Sequence, residues 1–156
     1  MREAIGGSQL LFIVITIIIV LMLLLAGSIG YTKAFKARNG IVNLVQEYGG
    51  YDISPSAILA NSDFDQEVGK LLTDMGYKTS VGNRNCSCKE SSVYSCEVDS
   101  STNYNFCLYR YTDNETGNQY YTVKTFMYFE LPVFGRNNMF AIPITGDTYT
   151  FFKYGL

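Results

Sequence analysis

The chain has 156 residues, with 12 Lys and Arg, 14 Asp and Glu, no His and no Trp, and a net charge of −2 at pH 7. The missing histidine excludes Ser-His-Asp and Cys-His nucleophile pairs, His-ligated zinc hydrolases and imidazole acid–base relays. From residue 51 onward eight basic residues face twelve acidic ones; this balance argues against a nucleic-acid partner, whose phosphates need a basic face.

Residues 1–9 read as a short N-terminal tail. From Leu10 to Ile29 twenty residues pass without a charge, and fifteen of them are Leu, Ile, Val or Phe. At a helical rise of about 1.5 Å, twenty residues span roughly 30 Å, the thickness of a bilayer's hydrocarbon core. At about −0.3 to −0.6 kcal/mol each, the fifteen sum to on the order of −5 to −9 kcal/mol for insertion. The run predicts a transmembrane helix over 10–30. The alternative is a secretory signal cleaved near Ala26-Gly27-Ser28-Ile29-Gly30, although the apolar region of a signal is shorter, about 7–15 residues. The helical pattern also runs on. Ala34, Phe35, Ile41, Val42, Leu44, Val45 and Tyr48 continue an apolar stripe, with Lys33, Lys36, Arg38, Asn43 and Glu47 among or opposite them. Gly40 weakens the interior by about 1 kcal/mol, and Gly49-Gly50 ends it. The expectation is one helix from Gln9 to about Tyr48, its extension over 31–48 packed on a head domain spanning 51–156.

In the head, Ser54 and Pro55 start a short helical turn over 55–60. Asn61-Ser62-Asp63 offers a second cap. Phe64, Val68, Leu71, Leu72 and Met75 then recur at helical spacing before Gly76, which predicts an amphipathic helix over 63–75. Asp63, Asp65 and Glu67 read as helix-start charges favoured by the macrodipole. From Tyr77 the period becomes two, with strands expected at 77–81, 92–98, 104–112, 119–131, 138–144 and 148–154. Asp113–Gly117 reads as a hairpin loop, and Thr145-Gly146-Asp147 as a turn joining the last two strands. Pro132 and Pro143 suit strand ends or edges. The fold class is α+β: a long N-terminal transmembrane helix continuing into a small head with one further amphipathic helix and an antiparallel meander.

Fifteen of the 23 Phe and Tyr residues lie from Tyr104 onward. Strand preference and core packing explain most of them. Tyr120, Phe126 and Tyr128 share one face of the strand at 119–131 and make a possible aromatic interface.

Cys86, Cys88, Cys96 and Cys107 are close-set and even in number, the pattern of two disulfides outside the cytoplasm. A Cys86–Cys88 bridge closes a strained ring, which leaves a nested set (Cys86–Cys107 with Cys88–Cys96), mildly preferred, or a crossed one. A four-thiolate zinc site normally shows two Cys-x-x-Cys knuckles, and free thiols are the remaining alternative. Orientation signals conflict. Lys33, Lys36 and Arg38 above the span outnumber Arg2 and the terminal amine below it, which by charge alone puts the head inside. The cysteines and the Tyr/Asn/Ser/Thr-rich distal half favour a head outside. No phosphate-cradling Gly-rich loop and no calcium loop is present, and no cofactor is expected.

A polar start, a greasy helix and a small β-rich head with a cysteine-stapled loop resemble pilin-like proteins. The start Met1–Ser8 and the tail Ile142–Thr148 are similar to the TadE-like anchored proteins of Tad-type pilus systems in Gram-positive bacteria. The resemblance implies a non-enzymatic structural subunit that stays in the cell membrane or joins a surface filament, with lipid and other pilin-like subunits as partners. Type IV prepilins carry a Glu at the fifth mature position. Here Ser8-Gln9-Leu10-Leu11-Phe12 follows Gly7, which points to a pseudopilin or accessory role. The competing reading is a membrane-tethered binding module whose aromatic sheet face holds a glycan or peptide.

Overall fold

The structure, a computed structural model, describes residues 2–77, 86–89, 91–101, 103–129 and 140–153, without the side chains of 2–6, 128, 129 and 140. Among the described residues three helices precede four strands: α1 (Arg2–Tyr48), α2 (Pro55–Leu59), α3 (Ser62–Asp74), β1 (Tyr94–Ser100), β2 (Phe106–Asp113), β3 (Gln119–Phe129) and β4 (Phe140–Asp147). The fold is α+β, as the change of period from 3.6 to 2 implies.

α1 starts at Arg2, seven residues before the expected Gln9, so residues 2–9 of the tail are helical. Once a helix is nucleated, each further residue adds a hydrogen bond at little cost, which carries it through Gly6-Gly7. The helix has two environments. From Leu10 to Leu25 every large apolar side chain is exposed, whereas Ala34, Ala37, Ile41, Val42 and Val45 are buried in the head. These five pack with Phe64, Val68 and Leu72 of α3 and with Phe106, Leu108, Tyr121, Val123 and Met127 of the sheet in one core. Gly40 lets α3 come close, since a Cβ there would lie 2.5 Å from Leu71 Cδ1.

The short helices are set by their caps. Ser54 Oγ accepts from Ala57 N at 3.3 Å ahead of Pro55, and Asn61 Oδ1 accepts from Asp63 N at 2.9 Å and Phe64 N at 3.2 Å. α3 ends in a Schellman motif. Gly76 adopts φ 60°, its N–H donates to Thr73 O at 3.0 Å, and Tyr77 N–H donates to Leu72 O at 2.9 Å.

The sheet is antiparallel in the order β1-β2-β3-β4. Asp113 organises the β2–β3 hairpin. Its carboxylate accepts from Glu115 N at 2.9 Å and Thr116 Oγ1 at 2.8 Å, and Gly117 takes φ 71°. These donors hold the Asp113 carboxyl below its ordinary value. Pro143 lies in edge strand β4, where a missing N–H is tolerated.

Two expectations fail at the end of the chain. Thr145-Gly146-Asp147 is the last stretch of β4, paired with Lys124, Val123 and Thr122. No strand forms over 148–153. β3 outlasts its pairing with β4, so the chain stays beside it: Thr148 N–H donates to Tyr121 O at 2.8 Å, and Phe151 and Gln119 exchange bonds of 2.7 and 3.0 Å. Gly146 serves a close approach instead of a turn, because a Cβ there would sit 2.6 Å from Arg38 Cδ. Of the strand expected at 77–81, Tyr77 is irregular backbone and 78–81 lie outside the described residues, as do Glu130, Leu131 and Pro132.

Candidate functional site

Two surfaces of the chain lack an ordinary structural explanation: the stem and the outer face of the sheet. On the stem, sixteen large apolar side chains from Leu10 to Ile29 are 46–72% exposed. Removing them from water is worth on the order of 20 kcal/mol, given about 1.5–3 kcal/mol for complete burial of each and the part the helix already covers. That exceeds the whole stability of an ordinary domain, about 5–15 kcal/mol. Exposed apolar patches on soluble monomers reach only a few hundred Å². Among the described residues, α1 is the one helix long and apolar enough to cross a membrane, and none of its most apolar stretch is buried inside the protein.

Just above the run, Tyr31 and Phe35 are exposed and stack at 6.0 Å between centroids, the residue type and position of an interfacial aromatic belt. Thr125 Oγ1 donates to Ala34 O at 3.3 Å, which sets β3 against α1 at this level. Two of the three basic residues here bind the head. Lys33 Nζ lies 3.5 Å from Gly76 O at the end of α3. Arg38 stacks on the Phe35 ring at 4.3 Å and donates from Nη1 to Thr145 O at 2.8 Å. The latter bond, with Pro143, blunts the open edge of β4.

The outer face of the sheet carries the cysteines. Cys86 pairs with Cys107 and Cys88 with Cys96, the nested set. All four thiols are consumed, so the zinc and free-thiol alternatives fall. The described residues hold no group of three or more potential metal ligands. The bridges hold 86–89 over Cys107, Tyr109 and Phe126, which form a second apolar cluster.

This cover changes the expected interface. Phe126 is 5% exposed; it belongs to the core beneath the cysteine loop, and its place in an open aromatic interface is corrected accordingly. Tyr120 is half-buried and stacks on Tyr111 at 5.1 Å and edge-on to Tyr94 at 5.8 Å. The side chain of Tyr128 lies outside the described residues; its backbone pairs with Ala141. Sequence reasoning missed Tyr94 and Tyr111 as members of this cluster. Their partnership follows from register, since Tyr111 stands opposite Tyr120 and Cys96, and register needs the hairpin length.

The electrostatics of Tyr109, Tyr120 and Tyr121 run away from reactivity. Burial raises the pKa of Tyr109, with Tyr111 adding to it and the Ser87 backbone opposing. Burial also raises that of Tyr120, helped by Asp147 and its tyrosine neighbours. Tyr121, on the inner face, donates to the Ile53 carbonyl and lies 3.0 Å from Gly50 O, tying the end of α1 to the sheet. Burial raises its pKa against the Arg110 guanidinium, which Glu97 holds at 2.9 Å.

Comparison with protein-family models, with curated proteins and with solved structures finds no match to this chain.

Proposed function

We propose that the chain is a structural or accessory pilin-like subunit, a pseudopilin, of a surface appendage or secretion system. It is anchored by a single pass, with its α+β head outside the cytoplasm. One observation carries the reading: a stem exposed on every side is continuous with the helix that supplies the head's core. Such a stem is solvated by lipid or by sister stems, and packing among stems needs no change in the head. Two further features support the orientation. Both disulfides suit an oxidising compartment. Two of the three cations that count against an outside head, Lys33 and Arg38, contact head carbonyls.

The half-buried Tyr94–Tyr120–Tyr111 cluster favours a second reading, a tethered module binding a glycan or peptide. It predicts a monomer, whereas the pilin-like reading predicts stem-mediated self-association. Carbonate-washed membranes from expressing cells, followed by cross-linking in the bilayer, test both. The pilin-like reading expects membrane retention and stem cross-links. Recovery in the soluble cytosol ends both readings, and a membrane-bound monomer leaves only the second.

A further inference from the structure

We infer that the notch between α1 and the last turn of α3 holds the phosphate of an anionic phospholipid. The inference rests on the reading of α1 as a membrane span. The notch is lined by Ile29, Thr32, Lys33 and Lys36 on α1 and by Asp74 of α3 with its C-cap Met75. It therefore opens where the apolar run ends. Lys33 and Lys36 stand four and seven residues past Ile29, about 6 and 10 Å along the axis. That is the depth of headgroup phosphates just outside the hydrocarbon core, and lysine stems reach several Å further.

The charges in the notch are Lys33, Lys36 and Asp74, and the C-terminal end of α3 adds a partial negative charge. Lys33 meets that end through its 3.5 Å approach to Gly76 O, a long contact that leaves other ammonium protons to donate. Lys36 is exposed. Two cations against one carboxylate and the partial charge of the helix end leave the notch net positive, the sign that attracts a phosphodiester anion. Thr32 Oγ1 donates to Ser28 O at 2.9 Å, so its proton is taken and the ammonium groups carry the contact. Below the notch, Ile29 and Leu25 lie one turn apart on one face, 58% and 62% exposed. They offer a track for the acyl chains of the same lipid. Tyr31 and Phe35 hold the depth.

The test uses the full-length protein reconstituted into phosphatidylcholine vesicles with and without phosphatidylglycerol, then extracted in mild detergent. The readout is the ratio of phosphatidylglycerol to phosphatidylcholine retained. The wild type is expected to insert into both vesicles and to retain phosphatidylglycerol preferentially. Each lysine accounts for about a fivefold preference, following roughly 1 kcal/mol per cation at an anionic surface. Lys36→Gln reduces the enrichment about fivefold. Lys33→Gln/Lys36→Gln abolishes it, and Asp74→Asn increases it. Because Lys33 also contacts α3, the single Lys36 variant guards against a folding defect. Insertion with equal retention of the two lipids, or a Lys36→Gln enrichment equal to wild type, overturns the inference and leaves the membrane reading standing. Failure to insert into either vesicle overturns both.

Discussion

Introducing lysines into the stem one at a time tests its solvent quantitatively. Ile19 lies mid-stem and is 53% exposed. It is fifteen residues, about 22 Å, below Ala34, where the head's core begins. Substitution there leaves the folding of the head and its disulfides alone. The intact run supplies on the order of −5 to −9 kcal/mol for insertion, and a central lysine costs about 2.5–3.5 kcal/mol plus the 0.3–0.6 kcal/mol lost with the isoleucine. Ile19→Lys therefore leaves a net of about −1 to −6 kcal/mol, and the protein stays in carbonate-washed membranes. Adding Leu23→Lys, one turn up, brings the balance to within about 3 kcal/mol of zero, and the protein divides between fractions. A third substitution, Ile15→Lys, tips it to about 0 to +7 kcal/mol, and insertion is lost. A single variant found soluble, or a triple variant still retained, refutes the reasoning. The first outcome means that lipid never solvated the stem, the second that something other than apolar area holds it.

The disulfides should dominate head stability. Loop closure over 21 residues is worth about 3 kcal/mol and over 8 residues about 2.5 kcal/mol, the two overlapping because they are nested. Cys86→Ser/Cys107→Ser should thus lower the denaturation midpoint more than Cys88→Ser/Cys96→Ser, the gap widened by complete burial of Cys107. Tyr121→Phe removes the hydroxyl between the Gly50 and Ile53 carbonyls and should cost about 1–3 kcal/mol in denaturant titration. Asp113 gives the hairpin a pH dependence. Its pKa is lowered on folding, so its contribution is complete above the ordinary value of 3.8 and falls away as pH drops through the lower folded value. Asp113→Ala should flatten that part of the acid unfolding curve, and an unchanged curve would assign the acid limb to other carboxylates.

Much of this architecture was legible because it rests on local rules. Twenty uncharged residues, Ser54-Pro55, Asn61, Gly76 and the alternation from Gln119 to Phe129 each act within one turn or one strand. The nested disulfides were within reach because the Cys86–Cys88 spacing excludes one of three pairings. What was not legible depends on contacts between distant segments. Gly146 resembles a turn residue until Arg38, more than a hundred residues away, is seen against it. Phe126 looks like an exposed alternate of Tyr121 and Val123 until the cysteine loop is folded over it. Among the described residues, the final segment is strand-like in composition but pairs with β3 only through the Phe151 bridge and Thr148. The tyrosine cluster required the β1–β2 register, which no local signal sets.

Under the pilin-like reading, the rigidity of α1 constrains how copies assemble. The core residues Ala34 to Val45 belong to the same helix as the stem, so the head cannot swing away on a linker. Packed helices lie about 8–10 Å apart. The head is wider than that, since four strands spaced about 4.8 Å apart already cover roughly 15 Å before the helical layer is added. Two stems can pack level with their heads turned outward. Where a head instead faces the stem of the next copy, level heads collide before the stems touch, so that each added copy must shift along the axis. Repeated equal shifts are a heterologous contact, which produces an open helix instead of a closed ring. Single cysteines placed along the stem, with the four native ones paired, test this directly. Cross-links between equivalent positions alone indicate a level dimer. Cross-links between two different positions, at one constant offset along the stem, are the outcome expected of a staggered assembly; with none at any offset in the bilayer, stem-driven assembly fails.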